Sequence, residues 1–175
     1  MFSENLNKLK KKMSENNIDL SIITDDDSIY YFTGYHDFLH MDFNRPTLLI
    51  VSNDHKTYLI TPLLDVLLVP DDCPVDTVET WNDGIGNEWR ELLPQIINQH
   101  KNIFIEKFKI NPMVKSYLDE ILQDHPGDLT KLIDNIRMIK SNYELNTVEE
   151  TEFDDLLEGA EIIGDLPSEV DFESN

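Results

Sequence analysis

Apolar residues first recur at helical spacing at Leu6, Leu9 and Met13. Residues 3–17 therefore read as an amphipathic helix, with Ser3 as its N-cap. The lysines Lys10 to Lys12 fall in its C-terminal half, where positive charge suits the helix dipole. "DLSIIT" follows as a short apolar strand, and "DDDS" as a turn that can cap a helix. "IYYFTGY" is aromatic and β-branched up to Gly34 and reads as a short strand or strand-like turn. "TLLIVSNDHKTYLIT" is the clearest hairpin, two apolar runs around a turn-type insert. "LLDVLLV" has helical spacing between Pro62 and Pro70, and "VDTVETW" alternates as a strand. "GNEWRELLPQIINQH" reads as a helix that Pro94 should kink or break. "NIFIEK" is a buried strand. "MVKSYLDEILQDH" is an amphipathic helix closed by Pro126 and Gly127. "DLTKLIDNIRMIKS" reads as a short strand or turn, then a helix carrying Ile133, Ile136 and Ile139.

A tight hairpin needs antiparallel neighbours, whereas the later strand–helix–strand steps favour parallel ones. The expected architecture is thus α/β, a mixed sheet with helices on both faces, over residues 1–140. Residues 141–175 form a separate acidic tail. A helix is expected over about 143–163, and disorder from Gly164 on, where Pro, Ser and acids dominate.

Charge sharpens that boundary. The net charge is −21 over 175 residues. Residues 1–140 hold 14 basic and 23 acidic residues, and residues 141–175 hold 12 acidic and no basic ones. Such a surface repels nucleic acid and anionic membranes, so neither is an expected partner. Cys73 is the one cysteine, which fits a reducing compartment. No signal-peptide core or membrane-length apolar run occurs, and a cytoplasmic location is expected.

Candidate chemistry is sparse. His36 and His40 stand four apart with Asp37 and Asp42 beside them, a spacing that zinc sites use on helices. Gly34 and Pro46 bracket them, so a loop is expected and no metal site is assigned. Of the other histidines, His55 falls in the hairpin turn and His100 at a helix end, and both read as surface residues. No G-x-S-x-G, phosphate loop or G-x-G-x-x-G is present; "DGIGNEW" lacks the third glycine. The acids at 25–27 and 71–72 sit in turns, where Asp bonds its own backbone. Cys73 in "PDDCPVD" has acids beside it that raise its pKa rather than activate it. No catalytic residue is assigned.

Several stretches together resemble the start of the Xaa-Pro peptidases, the group of prolidase, aminopeptidase P and creatinase. They are "NNIDLSIITDDDSIYYFTGY", "RPTLLIVSNDHKTYLIT", "IFIEK", "MVKSYLDEIL" and "LIDNIRMIKSNYEL", covering about residues 3–146. "YYFTGY" and "IRMIKS", in this order and about a hundred residues apart, are the specific pair. The resemblance implies a three-layer α/β/α domain with a mixed sheet, the creatinase N-terminal or ribonuclease H-like fold. It also implies a division of labour. In such enzymes a second, pita-bread domain follows the "RMIKS" signature. That domain holds two metal ions, Mn, Co or Zn, through two Asp, one His and two Glu. Only 35 residues follow Lys140 here, none of them His. This polypeptide is therefore expected to carry no cofactor and not to hydrolyse peptides by itself. The tail also departs from the pattern, since the family's next helix usually carries Lys or Arg.

The resemblance further implies a role in dimerisation and in shaping a substrate pocket, through the loop after the aromatic segment. Its candidates are Tyr35, His36, Asp37, Phe38, His40 and Arg45. Arg suits planar, two-pronged recognition of a peptide carboxylate. The plainer reading is that Tyr30, Tyr31, Phe32 and Phe38 pack in a core or interface and that Arg45 pairs with an Asp. The expected partners are a C-terminal metallopeptidase domain, a second copy, or both. The alternative is a stand-alone interaction module that has lost the metallopeptidase domain.

Overall fold

A computed structural model describes residues 1–36, 45–82, 88–140 and 145. The chain divides into two compact units, Met1–Met138 and Ile139–Asn175, and the fold described below is that of the first. The tail helix expected over 143–163 and the "DGIGN" loop lie outside the described residues, except for Leu145.

Helix α1 (Phe2–Glu15) buries Leu6, Leu9 and Met13, the stripe its spacing predicts. It starts one residue before the expected cap, so Ser3 lies in its first turn and no side chain caps it. Strand β1 (Leu20–Ile23) is buried throughout. The hairpin forms as β2 (Leu48–Ser52) and β3 (Thr57–Pro62), paired antiparallel. Its turn is closed by Ser52 N–H on the Lys56 carbonyl at 2.9 Å. Leu63–Leu68 is a 3-10 helix, and β4 (Thr77–Trp81) follows it. Helix α3 (Trp89–Ile97), strand β5 (Ile103–Ile105), helix α4 (Pro112–Ile121), the short β6 (Gly127–Asp128) and helix α5 (Thr130–Met138) complete the unit.

Two expectations need correcting. "IYYFTGY" is not a strand: α2 spans Asp26–Thr33. The Asp25 carboxylate caps it by accepting from Ser28 N–H at 3.1 Å. Gly34 ends it in the left-handed region, φ 75°, with its N–H on the Tyr30 carbonyl at 2.8 Å. Two end signals that bracket eight residues, plus burial of Ile29 and Phe32, outweigh the strand preference of the aromatics. Nor does Pro94 break its helix. Proline has no N–H to bond the Arg90 carbonyl, but the Tyr117 hydroxyl of α4 donates to that oxygen at 2.7 Å.

The six strands run in the order β4-β3-β2-β1-β5-β6, and only β2 opposes its neighbours. The sheet is therefore mixed, as expected. The pleat sends alternate residues to opposite faces. Ile23, Leu49, Val51 and Leu59 pack with residues of α1, α2 and α5. Leu20, Ile22, Leu48, Ile50 and Ile60 pack with Trp89 and Leu93 of α3 and Val114 and Leu118 of α4. The result is the three-layer α/β/α sandwich. Its directions bring the C-terminal ends of β1, β3, β4 and β5 and the start of β2 to one edge. No described helix is long and apolar enough to cross a membrane.

Candidate functional site

That edge carries the chemistry-bearing side chains. Tyr35 follows the Gly34 cap, and the αL turn throws its ring inward. It is 2% exposed, and its hydroxyl shares a 2.8 Å hydrogen bond with Thr61 Oγ1 near the end of β3. Thr33 Oγ1 accepts from Tyr35 N–H at 3.1 Å and donates to the Ile29 carbonyl at 2.7 Å, which fixes the turn. His36 is exposed and packs edge-on against Tyr30, ring centroids 6.0 Å apart. Tyr30 in turn packs edge-on against Phe2 of α1 at 5.6 Å.

Arg45 is half-buried just before β2. Its guanidinium lies 5.7 Å from the centroid of the Trp81 ring, a cation–π distance. Trp81 ends β4 and is 1% exposed. Within this stack the buried Trp81 Nε1 has no hydrogen-bond partner. The indole N–H is a donor only. With the guanidinium it makes a pair of donors suited to a planar anion such as a carboxylate.

Of the six residues singled out in the sequence, Tyr35 and Arg45 come to the same sheet edge, and His36 joins the Tyr30–Phe2 stack. Asp37, Phe38 and His40 lie outside the described residues. Sequence reasoning missed Trp81 as the partner of Arg45. It also missed a partly buried cluster of Asp25, Ser28, Glu106 and Lys109 at the ends of β1 and β5. Ser28 Oγ lies 2.9 Å from Asp25 Oδ2 and 3.2 Å from Glu106 Oε1. Lys109 Nζ stands 3.3 Å from each carboxylate. An acid directly after a buried strand, as in "IFIEK", was the available signal.

The described residues do not fit a metal centre, since no group of three or more His, Cys, Asp and Glu is placed to hold one. Burial pushes the Cys73 thiol up, and Asp72 adds to the shift, so Cys73 is not an activated nucleophile.

The pattern of the Creatinase/Prolidase N-terminal domain matches residues 5–139. Comparison with curated proteins gives no match. Among solved structures, a proline dipeptidase from Streptococcus pneumoniae TIGR4 aligns with a TM-score of 0.66 at 20% identity, over 77% of this chain and 98% of that one. The Creatinase/Prolidase N-terminal domain of an X-Pro dipeptidase from Streptococcus pyogenes aligns at 0.64 and 21%, over 76% and 98%. A dipeptidase from Pyrococcus horikoshii OT3 gives 0.73 and 21% over 90% of this chain, which spans 44% of that protein. At these identities the likeness concerns the fold. With the family pattern over residues 5–139 and the fold those dipeptidase domains share, the chain belongs to the Creatinase/Prolidase N-terminal domain family.

Proposed function

We propose that this chain is the non-catalytic N-terminal domain of a metal-dependent Xaa-Pro dipeptidase or aminopeptidase. It forms dimer contacts and supplies one wall of a substrate pocket that another domain or subunit completes. The wall is the segment from Tyr35 to Arg45, with Asp37, Phe38 and His40 between them. Two divalent ions, Mn, Co or Zn, belong to the catalytic domain, and no step through them is assigned to this chain.

The observation that carries this reading is the donor set at the sheet edge. Arg45 is steadied over Trp81, and the buried Trp81 indole N–H lacks a partner. A peptide ending in a free carboxylate offers the acceptors they need. An exposed apolar pair supports the partner role. Leu64 is 70% and Leu67 91% exposed on the 3-10 helix, next to edge strand β4. Adjacent exposed leucines fit a covered face better than an open one.

The Trp81 indole N–H reports on the site by NMR. A Gly-Pro dipeptide should shift its resonance, Gly-prolinamide should shift it far less, and Arg45→Ala should abolish the response. An equal response to dipeptide and amide, or none, would refute the carboxylate role.

A further inference from the structure

Strands β1 and β5 are adjacent and parallel, and their outgoing connections lead to opposite faces of the sheet, β1 to α2 and β5 to α4. Such a switch point opens a crevice at the strand ends. Here the crevice is filled by the chain's own side chains. Asn111 N–H donates to Thr24 Oγ1 at 2.6 Å, tying the end of β1 to the start of α4. The Glu106 carboxyl, fully buried, lies between the α2 cap and the β5–α4 turn. The charged groups facing it are Asp25, which caps α2, and Lys109, which follows in the turn.

We infer that the fold favours the protonated form of Glu106, and that its ionisation as the pH rises is a switch that loosens the clamp between the start of α2 and the β5–α4 turn.

Counting hydrogen bonds supports this. Asp25 Oδ2 accepts from Ser28 N–H, and Lys109 Nζ reaches it at 3.3 Å. The single Ser28 hydroxyl proton can serve Asp25 or Glu106, not both. Glu106 Oε1 therefore shares its donors with Asp25, and Oε2 is buried with no partner. Ionised Glu106 would leave half a carboxylate unsolvated, beside a second carboxylate, with one ammonium between them. A buried neutral acid with one unmet bond is the less costly state. Burial accordingly pushes Glu106 up from the ordinary glutamate value; Lys109 pulls it back, and Asp25 adds to the rise. Desolvation lowers Lys109, but Glu106 and Asp25 outweigh it and raise it, so the ammonium persists.

The sign follows from linkage. The folded value lies above the unfolded one. The stability contributed by the neutral acid is complete below the ordinary value of 4.5 and is lost as pH rises through the folded value. Above that point Glu106 competes with Asp25 for Ser28 and Lys109. The strain falls on the first turn of α2, the helix that leads through Gly34 to Tyr35 and His36.

The test is a carbon-detected NMR titration of the Glu106 side-chain carboxyl in the full chain. Denaturant unfolding of wild type and Glu106→Gln from pH 4 to 8 accompanies it. Glu106 should titrate above 4.5. The wild-type unfolding constant, relative to Glu106→Gln, should rise about tenfold per pH unit between the ordinary and raised values, then level off. Exchange of the Ile29 amide, which bonds the Asp25 carbonyl at 2.8 Å, should accelerate beyond its intrinsic pH dependence. Titration at or below the ordinary value, or an unchanged pH dependence in Glu106→Gln, would overturn the switch. If Glu106→Gln fails to fold, the wild-type carboxyl titration decides alone.

Discussion

Tyr35 looked in the sequence like a pocket residue, and its position gives it a second task. Its ring is buried and its hydroxyl pairs with Thr61, itself fully buried in β3. Tyr35→Phe should cost about 1–2 kcal/mol, because it strands a buried hydroxyl. The measurement is the urea midpoint at unchanged slope. The double change Tyr35→Phe with Thr61→Val should recover most of the loss. An unchanged midpoint in the single variant would show that the pair contributes nothing. At this scale the sequence was a fair guide to which residues matter and a poor one to why. Tyr, His and Arg are what sites use, so they were noticed. That Arg45 would lie over Trp81, thirty-six residues on, depends on β2 starting at the sheet edge where β4 ends, which no local pattern encodes. Glu106 was overlooked for the same reason: its meaning comes from Asp25 and Lys109, and Asp25 is far away in the chain.

Helix α2 shows how end signals overrule propensity. Read residue by residue, "IYYFT" favours a strand. Read with its flanks, Asp25 and Gly34 bracket eight residues, two turns of helix. The cap glycine tests this. Gly34→Ala must hold a side chain at φ 75° and should cost about 1–2 kcal/mol by denaturant unfolding. An added Cβ would also come within 2.6 Å of the Phe2 ring. Gly34→Asn should cost less, because Asn tolerates the left-handed region. Equal losses for Ala and Asn would place the cost in the Phe2 contact rather than in the backbone. Pro94 teaches the converse. The sequence correctly marks a missing N–H, but whether the helix breaks depends on who takes the freed carbonyl, and Tyr117 of α4 does. Helices with plain amphipathic stripes, such as α1 and α4, were legible because one face is buried and nothing competes.

At the scale of the molecule, the mixed sheet was legible from two local facts, a tight hairpin and a run of strand–helix–strand steps. The strand order was not. β1 sits between β2 and β5, and the latter pairing joins residues more than eighty apart. That pairing creates the switch point and brings Glu106 to Asp25. The family pattern over residues 5–139 then ties the architecture to dipeptidase N-terminal domains, while among the described residues no group of three or more His, Cys, Asp and Glu is placed to hold a metal. In the proposed role this chain shapes a pocket and leaves the chemistry to another domain. The most direct test is steady-state hydrolysis of Xaa-Pro dipeptides by the purified chain with manganese, cobalt or zinc added. No release of proline above the metal-only control is expected. Metal-dependent turnover that co-purifies with the chain would contradict it.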